Sequence, residues 1–412
     1  MNREDKPARR AVDPLEPPRR LLLGAGPSPV EPRVYEALSK PIIGHLDPYF
    51  FGVLEDVRGM LAPVFSAANG FTLALSGTGS LGMEASIVNF VEPGAKFLVF
   101  ANGFFADRIS EAARRLGAAV VRKERPWGEV FPEDEAADFI RRERPRVVAY
   151  VQAETSTGAY QQGKGICEAA HSVGALVIAD CVTSLGGMPV NVDETGIDVA
   201  FGCTQKALSC PPGLAPITLS SRALEALRGR TAPVASWYLD LNLLDQYLGS
   251  ERRYHHTAPI SMFYALREAL ALVHEEGLRR RWVRHRRNHR AFLTGVRAMG
   301  LKPLAPEDQS LWTVTALVLP EGVQPAAVRG FLLNQYGIEI SGGLGPLADR
   351  TLRVGFMGAG STEGNVLLAL EALEEALRAQ GHEPEAPGRA AAERFYARLP
   401  AGHGLEQVAF GQ

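Results

Sequence analysis

Between residues 71 and 219 the chain alternates short apolar runs with stretches of helical spacing, and this alternation limits the fold more than any other feature. The runs at 71–75, 96–101, 118–121, 147–152, 175–180, 198–201 and 214–219 read as strands. The stretches at 81–90, 106–116, 132–142 and 165–173 read as helices, with Gly94, Gly117 and Gly174 closing three of them. Runs apolar at every position suit strands covered on both faces. The pattern therefore predicts an α/β fold: a mostly parallel, seven-stranded sheet flanked by helices.

After residue 260 the texture changes. One long helical stretch at 261–299 leads to a smaller α/β unit, with strands expected at 313–319, 337–340 and 352–355 and helices at 326–336 and 362–380. A chain of 412 residues has room for this division. The expected organisation is an extended or disordered arm at 1–20, a large unit at 21–275, a small C-terminal unit at 276–382 and a tail at 383–412. In the tail, 390–398 is expected to be helical.

Composition excludes some classes. A net charge of −2 provides no field for nucleic acid or an anionic membrane. No apolar run is long enough to span a bilayer. Cys167, Cys181, Cys203 and Cys210 lack metal-site spacing and suit a reducing compartment. Residues 1–20 mix charge and proline, unlike a secretory leader, and the terminal Phe-Gly-Gln is no peroxisomal address. A cytoplasmic location is expected.

In sheets of this kind ligands bind beyond the carboxyl ends of the strands. Ser76, Asn102, Glu154, Asp180 and Lys206 all fall there. Lys206 stands out because only seven of the 44 Lys and Arg residues are lysine. It follows Asp180 by 26 positions, in Gly202-Cys-Thr-Gln-Lys206-Ala-Leu-Ser-Cys-Pro-Pro-Gly213. A strand-tip Asp and a Lys past the next strand are what pyridoxal phosphate chemistry needs. The amine holds the aldehyde as a Schiff base, and the carboxylate pairs with the ring nitrogen. Taken singly, each residue is equally a surface lysine or a strand-end acid.

Ser76-Gly-Thr-Gly-Ser-Leu-Gly82 follows a strand and opens a helix, the geometry of a phosphate cradle. It also fits G-x-G-x-x-G, but the next strand ends at Asn102 without the acid that a dinucleotide ribose requires. A ligand-free glycine turn is the other reading. Phe104 and Phe105 offer either a stacking platform or core packing. The 154–158 loop is either a polar site or a simple turn. Arg353 interrupts an apolar strand and so calls for a carboxylate, from a substrate or from a structural Glu. His285 and His289, with the arginines at 279–290, read as a solvated helix face without metal or nucleic-acid function.

These blocks, together with Leu23-Gly-Ala-Gly-Pro-Ser28, Asp180-Cys-Val-Thr-Ser-Leu-Gly-Gly187, Tyr254-His-His-Thr257 and Gly342-Gly-Leu-Gly345, resemble the class V, fold type I aminotransferases. They are most similar to the alanine–glyoxylate/serine–pyruvate aminotransferase family, over residues 21–380. The resemblance implies a pyridoxal 5′-phosphate enzyme with Lys206 as the Schiff-base lysine and Asp180 as the ring-nitrogen partner. It implies phosphate contacts from Thr78, Gly79, Ser80 and Gln205, ring contacts from Phe105, Thr155 and Val182, and substrate contacts from Gly26 and Arg353. Tyr254 and Thr257 would reach the phosphate of the other subunit, so a homodimer with shared active sites is implied. Animal members carry His in place of Ser80 and Trp in place of Phe105.

The implied reaction is a ping-pong transfer of an amino group from a small amino acid, alanine or serine, to glyoxylate or pyruvate. A pyridoxamine–pyruvate or phosphonate aminotransferase of the same class is the alternative. A desulfurase is disfavoured because no Cys follows Cys210.

Overall fold

The computed structural model describes residues 14–68, 71–249 and 251–399. Its main sheet has seven strands: β1 (Phe71–Ser76), β2 (Lys96–Ala101), β3 (Ala119–Glu124), β4 (Val147–Val151), β5 (Leu176–Asp180), β6 (Val199–Phe201) and β7 (Leu214–Leu219). They lie in the order β1-β7-β6-β5-β4-β2-β3. Strand β7 is antiparallel to both neighbours, Leu214 pairing with Ser76 and Ile217 with Phe201. The other six strands therefore point one way, and their carboxyl ends share one edge. Every residue of β4 and nearly every residue of β2 and β5 is buried. Because successive side chains face opposite sides, both faces of the sheet are covered. The seven-stranded, mostly parallel expectation holds.

Helices α1 (Gly79–Val88) and α2 (Phe104–Arg115) follow β1 and β2 directly, so each begins at the carboxyl edge. The long helix expected at 261–299 is two helices, α3 (Ile260–Glu276) and α4 (Leu278–Ala298). Gly277 separates them with φ of +83°, a conformation that stops an α-helix and that side-chain-bearing residues avoid.

Helix α4 also corrects the reading of its surface. His285 and His289 are buried, as is Arg281. Arg281 donates to the carbonyls of Gly186 (3.0 Å) and Ala207, and pairs with Glu276 at 2.6 Å. Arg284 donates to the carbonyls of Gly358 and Ser361. His285 Nε2 accepts from the Gly358 amide, and His289 bonds Ser310. Burial depresses both imidazoles, His289 to about 4. The helix is an internal strut on one face, and Arg281 and Arg284 were deceptive because their charged heads find backbone carbonyls, while Arg279, Arg280 and Arg297 do stay exposed.

The second sheet is antiparallel: β8 (Lys302–Pro303), β9 (Val314–Val318), β10 (Ser341–Gly342) and β11 (Thr351–Gly355), in the order β8-β9-β11-β10. The residues expected as a strand at 337–340 pair elsewhere: Ile338–Glu339 lies parallel to Leu21–Leu22. Leu23 enters the same core as Phe292, Val296, Leu352 and Leu370, so the chain visits the C-terminal unit before it enters the large sheet. Helices α5 (Glu363–Arg378) and α6 (Gly388–Ala397) complete this unit, with Ala391 and Ala392 of α6 buried. Residues 14–20 run without regular structure and are exposed; the rest of the expected arm, 1–13, lies outside the described residues, as does 400–412 of the tail. No helix among the described residues is long and apolar enough to cross a membrane.

Candidate active site

A pocket at the carboxyl edge is lined by Thr78, Gly79, Ser80, Met83, Phe105, Arg108, Thr155, Asp180, Val182, Phe201, Gln205 and Lys206. Nine of these positions were singled out from sequence, and four segments bring them together with Phe105 at the start of α2. The first is the β1–α1 turn. Gly77 holds φ of +159°, and α1 opens at Gly79 with Thr78 as its N-cap residue. The first-turn amides precede the helix's own hydrogen bonds and point outward with the positive end of the helix dipole. A Cβ on Gly79 would lie 3.0 Å from Cys203 Cβ, so a larger residue would crowd the cradle.

The second segment is the tip of β5. Asp180 is buried, and its carboxylate accepts the Val182 amide at 2.9 Å. Burial raises its pKa to about 7, with a further push from Glu154 and an opposing pull from Lys206. The third is the loop 203–210. Ser209 N bonds the Lys206 carbonyl (3.0 Å) and Thr204 Oγ1 donates to Pro211 (2.7 Å), which holds the loop in shape. Ser28 grips it from outside, donating its hydroxyl to the Lys206 carbonyl at 2.6 Å and its amide to Gln205 at 2.9 Å.

Lys206 Nζ donates to the Ala25 carbonyl. Burial lowers the pKa of this amine. Gly26 lies against it: with φ of +106°, its Cβ, if present, would stand 2.5 Å from Nζ. Two constraints thus converge on one glycine. Gly26→Ala is expected to cut activity at least tenfold and to lower stability by about 1–2 kcal/mol from backbone strain. Thermal melts and turnover on the same preparation check both.

The fourth segment is 154–158. Glu154 is fully buried, and Thr155 bonds Thr183 through paired hydroxyls. The loop is no simple turn. Arg353, on β11, donates to the carbonyls of Thr155 (3.4 Å) and Gly342 (2.8 Å). Among the described residues no carboxylate lies within ion-pairing distance of it, so the structural Glu partner is missing. Burial lowers this guanidinium to about 10.

Tyr254 and Thr257 do not line the pocket of their own chain; both are exposed in the segment before α3. Three pocket residues went unread from sequence: Arg108, Met83 and Phe201, the last read only as the end of a strand. Arg108 lies one turn beyond Phe104 and Phe105 on α2, its guanidinium 4.9 and 5.3 Å from their ring centroids. That i, i+3 and i, i+4 spacing was the available signal. Met83 carried none.

Residues 22–364 match the family described as aminotransferase class-V. The chain belongs to the class-V aminotransferases. It is 38% identical over 378 residues to the (S)-ureidoglycine–glyoxylate transaminase of Bacillus subtilis (strain 168), covering 87% of this chain and 91% of that one. It is 37% identical over 369 residues to the alanine–glyoxylate aminotransferase of Rattus norvegicus, covering 89% of each. The crystal structure of an alanine–glyoxylate aminotransferase from Nostoc sp. superposes with a TM-score of 0.89 at 45% identity, covering 91% of this chain and all of that one. The chain is accordingly a pyridoxal-phosphate-dependent transaminase of fold type I.

The pocket suits that cofactor on its own evidence. Among the described residues the buried Gln205 Oε1 has no hydrogen-bond partner, and the same amide turned over presents its N–H group to an anion at the open amides of α1. Asp180 is an acid whose pKa burial raises to about 7, so that a cation beside it would favour its charged form.

Proposed function

We propose that this chain is a homodimeric aminotransferase that moves the amino group of a small amino acid, alanine or serine, to glyoxylate or pyruvate in a ping-pong cycle. The observation that carries the reading is Arg353, a buried guanidinium with no carboxylate partner among the described residues, bonded to the carbonyl of Thr155, which lines the pocket. An α-carboxylate is the planar, bidentate partner that such a group lacks.

Bound in the pocket, the cofactor supplies an electron sink that acidifies the substrate's α-carbon. Thr78, Gly79, Ser80 and Gln205 would hold its phosphate, Phe105, Val182 and Thr155 would contact its ring, and Asp180 would pair with its ring nitrogen. Lys206 Nζ, as a free amine, would take the α-proton and later return it. Arg353 fixes the substrate so that this proton faces Nζ.

Arg353→Lys is expected to raise KM for the amino donor about 10²-fold, because one ammonium replaces a two-point grip worth roughly 3 kcal/mol. Steady-state kinetics across donors measure it; an unchanged KM overturns the anchor.

The relatives' names suggest glyoxylate as the acceptor. Arg108 at the pocket wall supports a second reading, a phosphonate-bearing donor. A spectral titration of the loaded protein with alanine, serine, (S)-ureidoglycine and 2-aminoethylphosphonate separates these donors. Alanine and serine are expected to bleach the lysine-bound absorbance fastest.

Tyr254 and Thr257 support the dimer, since both are exposed and neither lines the pocket of its own chain. Mixing Lys206→Ala with Tyr254→Ala subunits is expected to restore activity by rebuilding one intact site per dimer. Failure of hybrids to recover would argue for unshared sites. Four buried thiols suit a cytoplasmic protein.

A further inference from the structure

Glu154 holds a position that the mechanism above leaves unused. Its side chain is fully buried at the carboxyl edge, and each polar group that reaches it is a donor. Oε1 accepts the Ser156 amide at 3.0 Å and the Ser156 hydroxyl. Oε2 accepts the Phe105 amide at 3.2 Å. The Ser156 hydroxyl in turn accepts the Phe104 amide at 3.0 Å. Helix α2 opens at Phe104 after Gly103, which has no side chain to cap it. Glu154 and Ser156 supply that cap from a different strand tip.

Gly103 is required by space rather than by dihedral angle. Its φ is 178°, which any residue adopts, but a Cβ there would collide with the Glu154 side chain and stand 2.8 Å from Oε2. Glycine at this position leaves room for a carboxylate at the start of α2. The Glu154 charge also adds to the raised pKa of Asp180 and partly offsets the lowering of Arg353 by burial.

We propose that Glu154 is a positioning residue that fixes the Phe105 ring over the cofactor by clamping the first turn of α2. The inference rests on the reading of Phe105 as the stacking residue. A site built wholly of donors needs an acceptor-only group, which an ionised carboxylate is and an amide is not. Glu154→Gln keeps size and shape but turns an N–H toward either the Phe105 or the Ser156 amide, so one of those donors loses its partner.

The test is a double-mutant cycle on cofactor affinity, measured by equilibrium titration of stripped protein with pyridoxal phosphate, with thermal melts of the stripped proteins alongside. Phe105→Ala and Glu154→Gln are each expected to raise the dissociation constant about tenfold. The double variant is expected to be little worse than Phe105→Ala alone, because a ring that is absent cannot be misplaced. The melting temperature of stripped Glu154→Gln is expected to stay within a few degrees of wild type. Should Glu154→Gln fail to fold, Ser156→Ala, which removes only the hydroxyl between the two amides, replaces it in the same cycle with the same expected non-additivity.

Multiplicative effects in the cycle would overturn the proposal. So would a loss of melting temperature with no change in cofactor affinity, which is what a purely structural cap gives. If Phe105→Ala itself leaves the affinity unchanged, the stacking reading fails and takes this one with it. If Phe105→Ala weakens binding and neither partner variant does, Glu154 alone is refuted.

Discussion

Lys206→Ala is expected to lose the visible absorbance of lysine-bound cofactor and to lower turnover at least ~10⁴-fold, the scale on which removal of a covalent catalytic group is felt. Among the described residues Lys206 is the one lysine on the pocket wall. Lys40, Lys164 and Lys302 are exposed, while Lys96 and Lys123 pair with Glu143 and Glu135. No second amine among the described residues is placed to substitute. Burial also lowers the pKa of Lys206, so more of it is the free amine that attacks an aldehyde. Added methylamine should restore a small part of the rate, since the cavity left by the side chain adjoins the Ala25 carbonyl that orients Nζ. Persistence of the normal absorbance in the variant would assign the anchor elsewhere.

Asp180→Ala is expected to cost about 10³–10⁴ in rate, roughly 4–5.5 kcal/mol at the transition state, while the fold persists. The loss is chemical: without an adjacent carboxylate the ring nitrogen sheds its proton and the electron sink weakens. A modest decrease would remove Asp180 from this role. The same residue leaves a mark on stability in the cofactor-free protein. Its folded pKa, about 7, lies above the usual Asp value of 3.8. The protonated carboxyl therefore contributes stability that is fully present below about pH 4 and is lost as pH rises through 7. Relative to Asp180→Asn, which cannot ionise, stripped wild type should lose about 3 kcal/mol between pH 5 and pH 8. Denaturant melts at the two pH values check the sign.

Much of the large unit was legible because its strands are buried on both faces. Lys96–Ala101, Val147–Val151 and Leu176–Asp180 must be apolar throughout, and such runs are hard to mistake. The reversal of β7 was less visible, since an apolar run carries no direction. The clue lay in residues 202–213, twelve positions holding two prolines and no helix, too short for the usual crossover between parallel strands. Helix α4 misled because arginine-rich sequence normally means a wet surface, and nothing local reports that Gly186, Ala207, Gly358 and Ser361 will offer carbonyls to it. Pairing of Leu21–Leu22 with Ile338–Glu339 spans more than three hundred residues and is fixed by backbone hydrogen bonds and by the packing of Leu23 in the second core, none of which is local in sequence.

The site followed the same rule. Lys206, Asp180 and the 76–82 turn announce themselves by strand-tip position and residue type. Glu154 stood at a strand tip as well, but an acid in a loop of Thr, Ser and Gly reads as a turn until its burial is seen. Tyr254 and Thr257 would have been discarded from this fold alone, because neither lines the pocket of its own chain and Tyr254 meets the rings of His45 and Tyr247 instead.

The grip of residues 21–28 on both the Lys206 loop and the second sheet bears on when during synthesis this protein becomes competent. Ala25 donates its amide to Ser341 Oγ at 3.0 Å, and Leu23 accepts from Gly355 at 2.8 Å. The ribosome makes the lysine's holder early, but the surface that holds the holder arrives some three hundred residues later. The seven-stranded sheet can close around β7 well before that. A nascent chain released short of β11 should thus be folded in its larger part and still unable to retain its cofactor, so loading waits for nearly the whole polypeptide.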